Sequence, residues 1–433
     1  MRVRLTGRRA AERVRRRVTK TLGRLGPGLV TGAANDDPGC IGTHAQVGAQ
    51  FGTSLLWLAP WTLPLLAVVQ EMAAQLGNIA GEGLASTLRR HYPRGVLWST
   101  TTLLVAANLV NLAADLGVMA ETLQLLVGGP RALWIVALAA LLGLLQTFVP
   151  YGPYARVLKI VTLSLLAYVA GVFLVRLDWP TALRHTFVPS LAFSEPVLLA
   201  VVAVIGTRLS PYLFVWQPSQ VVEEEVEEGK TTRAERQGTT RLTLRRLQLD
   251  VLAGSVMANL VTWAIMVTTA ATLHASGTTE VRSAADAARA LEPVAGSLAA
   301  LIFTVGILGT GFLAVPVLAG GIGYVLGEAW SWRRGLGRRP ADAPGFYAAI
   351  LGALAIAAAL NFVGVSTIRA LFLSQLLNGV VAAPLVFLLL HICNNRAVMG
   401  RHVNGRLANT LGGLTALVML AAMLGLVWSM VDG

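Results

Sequence analysis

The sequence predicts an all-helical integral membrane protein, built as an inverted repeat whose first and sixth spans are broken near mid-membrane. Three observations predict it. Of the 433 residues, 55% are hydrophobic and only 13% charged, with a mean hydropathy of +0.64, against about 25% charged residues in a typical soluble domain. Apolar runs of roughly 20 residues, enough for a helix to cross a bilayer, recur about eleven times. Two of these runs, five spans apart, are interrupted by proline and small polar residues.

The first 24 residues are Arg-rich and lead into no short apolar run with a small-residue cleavage site, so they read as a cytoplasmic arm that anchors topology and not as a signal peptide. The first span, 26–52, is apolar at both ends and carries Asn35, Asp36, Asp37, Pro38 and Gly39 in its middle. Charge at that depth is costly and usually marks a substrate or ion pathway. Proline and glycine together predict a helix break at Pro38–Gly39, and broken backbone survives there only where it is buried in protein or lines a cavity.

Further spans are expected at 54–78, 97–127, 133–149, 157–175, 197–217, 251–273, 299–326, 346–363, 368–390 and 411–430. The connector 278–289 has the composition of a short surface helix. With the N-terminus inside, the loops after the even-numbered spans are cytoplasmic, and those loops hold the Arg and Lys clusters, as the positive-inside rule requires. The chain therefore divides into a basic arm (1–24), a first repeat (25–175), an extracytoplasmic connector (176–196), a second repeat (197–390) with a charged cytoplasmic loop at 223–246, and a loop with a last helix (391–433).

The second break lies in span six, where Gly206, Ser210 and Pro211 interrupt an apolar run. An odd offset of five spans inverts one repeat relative to the other, and paired discontinuous helices in inverted repeats mark a transporter's substrate site. Two ordinary proline kinks in a bundle would leave the Asp pair unexplained.

At these residues the chain resembles the NRAMP family of divalent-metal transporters, over about residues 25 to 430. The family's Asp-Pro-Gly-Asn stands as Asp37-Pro38-Gly39-Cys40. Ala45-Gln46, the run from Gly48 to Gly52, Leu76-Gly77, Gly81, Leu84-Ala85, Asp115 and Ser374-Gln375 are similar to later motifs. The resemblance implies a LeuT-type fold: two inverted repeats of five helices with one extra C-terminal helix, helices one and six broken. The departures are as informative. The family's Met-Pro-His reads Ser210-Pro211-Tyr212, its second histidine is Gln217, its carbonyl-donating alanine is Thr207, an acid after Asp115 is Val118, and the ninth-helix arginines have no counterpart between Phe346 and Val363. This pattern is similar to the NRAMP-related subgroup that includes magnesium transporters.

Carboxylate, carbonyl, hydroxyl and water ligands suit Mg, Ca and Mn, whereas a thioether favours softer metals. The expected metal ligands are Asp37, Thr207 and Ser210, joined by Gln375 and freed backbone carbonyls, around a partly hydrated ion. Cys40 is the one soft candidate, and a small residue packed at the break is the plainer reading of it. Asp36 is a cap, an ion-pair partner or a contact to substrate. Asp115 is a proton site, a gating partner or an inter-helix hydrogen-bonding group. His44 reads as packed or hydrogen-bonded. Arg208 opposes a cation if it points inward and leaves Asp37 free if it pairs with Asp36; Tyr212 joins these as a gating or modulating residue. The run Glu223 to Glu228 reads as a solvated helix end or as a cation-attracting inner mouth.

The expected function is alternating-access transport of a hard divalent cation, Mg²⁺ or Mn²⁺, with weak or no proton coupling, in the cell membrane with the N-terminus cytoplasmic. The alternative keeps the fold and moves a non-metal solute or anion recognised by Arg208. The metal is cargo and no cofactor is expected. The partners are that ion and the lipid bilayer, and nothing fixes an oligomeric state. The charge of +13 sits in loops and the N-terminal arm, without interleaved aromatics, so nucleic acid is not an expected partner. Enzyme chemistry is not expected either: no nucleophile–base pair, HExxH or phosphate loop occurs. The two cysteines, Cys40 and Cys393, have neither disulfide-framework nor zinc spacing.

Overall fold

The computed structural model describes residues 32, 34–149, 166–190, 194–237, 239–281, 283–292, 296–364 and 366–432. The basic arm at 1–24 and most of the fifth expected span lie outside them. Among the described residues, six helical stretches are long and apolar enough to cross a membrane, one of them, Glu195–Glu227, interrupted at its middle. Along the chain run α1 (Pro38–Phe51), α2 (Leu58–Ala80), the short α3 (Leu84–His91), α4 (Arg94–Val127), α5 (Arg131–Phe148), α6 (Leu166–Val172) and α7 (Trp179–Phe187). There follow α8 (Glu195–Arg208), α9 (Leu213–Glu227), α10 (Arg233–Arg236), α11 (Arg241–Thr269), α12 (Ala284–Arg289), α13 (Ala299–Ala329), α14 (Pro344–Leu360), α15 (Thr367–Asn394), α16 (Arg396–Met399) and α17 (Arg406–Asp432).

Both expected breaks are present, and both differ in detail. The first lies at Asn35–Asp37, just before Pro38 and not at Pro38–Gly39. The physical reason is that proline suits the first helical position: its missing N–H would be unpaired there, and its φ is already helical. Asp37 is extended (φ −62°, ψ 166°) and caps the new helix by accepting from the Cys40 amide. The second break spans Leu209 to Tyr212, between α8 and α9. Pro211 has no N–H for the Thr207 carbonyl four residues back, and Ser210 Oγ donates to that carbonyl instead, at 3.0 Å.

Gly206 lies inside α8 and does not break it. It is a packing residue: a Cβ there would collide with the Gln375 carbonyl and the Gly379 amide, so its absence lets α8 and α15 come together. The charged segment is a loop over only part of 223–246, and its acidic run is a helix end, as one reading had it. Glu223–Glu227 continue α9, and α11 starts at Arg241 behind a Thr240 cap, so the non-membrane ends of both helices extend well past their apolar cores. Glu and Arg are good helix formers, so nothing in their propensity stops a helix that leaves the apolar zone. The connector helix forms as α12 with a Ser283 cap, its Ala284, Ala287 and Ala288 buried against α13 and α4 and its Arg289 exposed.

Broken segments α1 and α8 pack on each other and on α15, and α1 also meets α4 and α11. α13 lies along α4, and α9 lies along α2. One continuous hydrophobic core runs through these helices. The two breaks meet in its middle.

The Gly206 contact makes a prediction. Overpacking a tight site costs about 1–3 kcal/mol, so Gly206→Ala should lower the melting temperature in detergent clearly. Gly413→Ala, where a Cβ meets open space, should leave it unchanged or raised. Equal melting temperatures for the two variants would contradict the packing.

Candidate substrate site between the broken spans

The site grows from the start of α1. Asp37 Oδ1 accepts from the Cys40 amide at 2.6 Å, and Oδ2 accepts from Asn111 Nδ2 of α4 at 3.2 Å. The Gly39 amide donates to Asp115 Oδ1 at 3.2 Å. A side chain at Gly39 would collide with the Gln375 amide, so glycine here admits a glutamine from α15 to the break. Gln375 Nε2 donates to Asn111 Oδ1 at 2.8 Å, and Asn378 Nδ2 donates to Gln375 Oε1 at 3.0 Å. One connected polar cluster therefore joins α1, α4 and α15 at Asp37.

The second break supplies the other wall. Asn35 Nδ2 donates to the Arg208 carbonyl at 3.3 Å, and Tyr212 Oη donates to Asn35 Oδ1 at 3.3 Å, so Asn35 stitches one interruption to the other. Arg208 Nη2 pairs with Asp36 Oδ1 at 3.4 Å and donates to Cys40 Sγ at 2.7 Å. Cys40 Sγ also lies 3.2 Å from His44 Nδ1. The thiol is thus engaged on two sides. The guanidinium is turned toward Asp36 and Cys40, while Asp37 is held by α4.

None of Asp36, Asp37, Cys40, Asp115, Thr207, Arg208, Ser210, Tyr212 and Gln375 is more than 4% exposed. The geometry draws them into two groups. Asp37, Asp115 and Gln375 share the cluster with Asn111; Asp36, Cys40, Arg208 and Tyr212 share the one with Asn35. Thr207 and Ser210 sit at the second break with hydroxyls directed to backbone carbonyls, Thr207 Oγ1 to Val204 at 2.7 Å and Ser210 Oγ to Thr207. Each hydroxyl oxygen retains acceptor capacity beside its donated proton. Among the described residues, no group of three or more His, Cys, Asp or Glu side chains is disposed to hold a metal, so any ion here would rely on amide, hydroxyl and carbonyl oxygens beside a carboxylate.

The two ends of the bundle differ. At the Arg-rich end, Glu82 pairs with Arg90 at 2.9 Å and with Arg233 at 3.3 Å. Buried Glu328 accepts from the Ser86 amide and from Ser219 Oγ, with Arg334 3.7 Å away. A cavity of about 400 Å³ there carries Glu223, Glu227 and Glu328 beside Arg236, Arg333, Arg334 and Arg338, so the acidic run does not make a purely negative mouth. At the opposite end a larger cavity, about 820 Å³, descends between α1, α8 and α15 to Gly42 and Thr43, one turn from Gly39.

Asn35, Asn111 and Asn378 take larger parts than the sequence reading assigned them. A signal for the last two exists: Asn111 and Asp115 lie one turn apart in an apolar span, and Asn378 lies one turn beyond Gln375. An amide is uncharged, however, and does not stand out from an apolar run as an acid does.

A family model described as natural resistance-associated macrophage protein-like matches residues 28–429. The divalent metal cation transporter MntH of Ralstonia nicotianae is 32% identical over 437 residues, 96% of this chain and 92% of the relative. That of Pectobacterium carotovorum is 29% identical over 426 residues, 95% of each. Among solved structures, the Eremococcus coleocola manganese transporter superposes with a TM-score of 0.70 at 19% identity, over 93% of this chain and 85% of that one. Mhp1, a nucleobase-cation-symport-1 family transporter, superposes with a TM-score of 0.52 at 15% identity, over 94% and 92%. Those structures share the fold, a LeuT-type inverted repeat with broken first and sixth helices. With the family model matched over nearly its whole length, the chain belongs to the Nramp family.

Proposed function

We propose that this protein carries a hard divalent cation, Mn²⁺ or Mg²⁺, across the cell membrane by alternating access, with the Arg-rich end cytoplasmic. The observation that carries the reading is the division of labour between the two aspartates: Arg208 is paired with Asp36, which leaves the Asp37 carboxylate among neutral amides. A cation entering there meets carboxylate, amide, hydroxyl and backbone oxygens, the donor set that suits Mg and Mn. Ser210 stands where a softer-metal site would carry a thioether, and the Cys40 thiol is already against Arg208 and His44. The family and the named activities of the MntH relatives support the cargo class. The alternative, an anion or organic solute read by Arg208, would have to use Nε and Nη1 of that guanidinium, since Nη2 is spent on Asp36 and Cys40.

Asp37 is the ligand we assign first, with Gln375, Ser210 and the carbonyl and hydroxyl of Thr207 completing the set and Cys40 at its edge. Asp115, Asp36, Arg208 and Tyr212 brace or gate it. The larger cavity approaches the site from the side opposite the Arg-rich loops, and ion pairs close the Arg-rich end, as expected of a carrier that opens to one side at a time. Coupling to protons is weak or absent in this reading, because Val118 and Gln217 cannot relay one, no histidine stands at Tyr212, and α14 carries no arginine.

Uptake into proteoliposomes tests the cargo. Wild-type protein should accumulate Mn²⁺ or Mg²⁺, and Asp37→Ala should lower the rate by about tenfold or more, the loss of one charge-assisted contact. Absence of divalent uptake in the wild type, with uptake appearing in Arg208→Thr, would overturn the reading for the native protein. A pH-sensitive dye trapped in the same vesicles tests coupling: the lumen should stay at constant pH during metal entry, and robust metal-driven acidification would contradict the uncoupled mechanism.

A further inference from the structure

The cluster at Asp37 contains more acceptors than donors in contact with them. Asn378 is fully buried in α15, and its Nδ2 is spent on Gln375 Oε1 at 3.0 Å and on Asn111 Oδ1 at 3.3 Å. Its own carbonyl oxygen, Oδ1, is buried without a partner, and so is Asp115 Oδ2 in the same cluster. A buried acceptor left unpaired keeps its full desolvation penalty. Such atoms in a native interior call for an explanation, commonly an ion or a water that completes them.

Asn111 is committed in the other direction. Its Nδ2 holds Asp37 Oδ2, and its Oδ1 receives both Gln375 and Asn378. It therefore fixes which atom each neighbour presents. Because Gln375 gives its NH₂ to Asn111, its oxygen faces Asn378; because Asn378 gives its NH₂ to both, its oxygen is the one left over. The surplus falls on an acceptor, the atom type a cation or a cation-bound water requires.

We infer that Asn378 is a further cargo contact, its side-chain oxygen accepting the cation or a water that the cation retains, and that Asn111 is the positioning residue that turns it there. The inference rests on the divalent-cation reading above and adds a specificity-determining residue to that site. The amide bracket makes the site polar without adding negative charge, so it stabilises a cargo that brings positive charge or ordered hydrogens and gives nothing to a bare apolar solute.

Kinetics of Mn²⁺ uptake in proteoliposomes separate the outcomes. Asn378→Leu, similar in size but without an acceptor, should raise KM by about tenfold or more while the maximal rate falls less than about threefold. Asn378→Asp, which keeps oxygen acceptors but loses the NH₂ donor, should hold KM within about threefold of wild type. A purely structural amide would show the reverse, since Asp lacks the donations to Asn111 and Gln375; a KM raised tenfold in Asn378→Asp, or unchanged in Asn378→Leu, overturns the inference. If Asn378→Leu does not fold, Asn378→Asp alone decides by the same threshold. Wild-type protein that moves no divalent cation would overturn the functional reading and this contact with it, whereas wild-type uptake with either adverse variant result removes the contact only.

Discussion

Two helices interrupted at the same depth leave backbone groups without helical partners where no water can satisfy them. The rest of the structure depends on how that constraint is met. Asn35 meets part of it directly, receiving Tyr212 and donating to the Arg208 carbonyl, so each break supplies partners to the other. Ser210 meets another part by donating to the carbonyl that Pro211 cannot serve. The breaks are therefore a single interlocked feature, and neither would be stable alone at that depth.

The same constraint governs charge. A guanidinium buried to 1% exposure must be paired and hydrogen-bonded; Asp36 and Cys40 both serve Arg208 Nη2, while its Nε and Nη1 are buried without a partner. This arrangement separates two adjacent carboxylates chemically. Asp36 faces a permanent cation, and Asp37 accepts from the Cys40 amide and from Asn111 on α4. A cation carrier needs a carboxylate not already committed to an ion pair, and Arg208 makes its ion pair with Asp36.

In the proposed mechanism the hydrogen bonds that cross from the first break to α4 change partners, because Asp37 and Gly39 stand at the start of α1 while Asn111 and Asp115 stand on α4. A cation bound as proposed would compete for the Asp37 oxygen that Asn111 now occupies, so binding and loosening of α1 would act on the same atom. The ion pairs at the Arg-rich end and the open cavity opposite them give that helix two unlike ends to work between.

Much of this was legible from residue order alone. Hydropathy marks the spans, loop charge implies their direction, and the pairing of a broken first span with a broken sixth requires an inverted repeat, because these are properties of local composition and of spacing along the chain. The position of Asp37 at a helix break was legible for the same reason. Tertiary structure decided the rest. That Gly206 is a contact to α15 and not an interruption, and that Arg208 turns to Asp36, depend on which group lies across a helix–helix interface, whereas the helix start at Pro38 follows from local capping. Asn111 and Asn378 draw their significance from hydrogen bonds between residues more than two hundred and fifty positions apart, and a single sequence carries no local trace of such a pairing when the side chains are neutral.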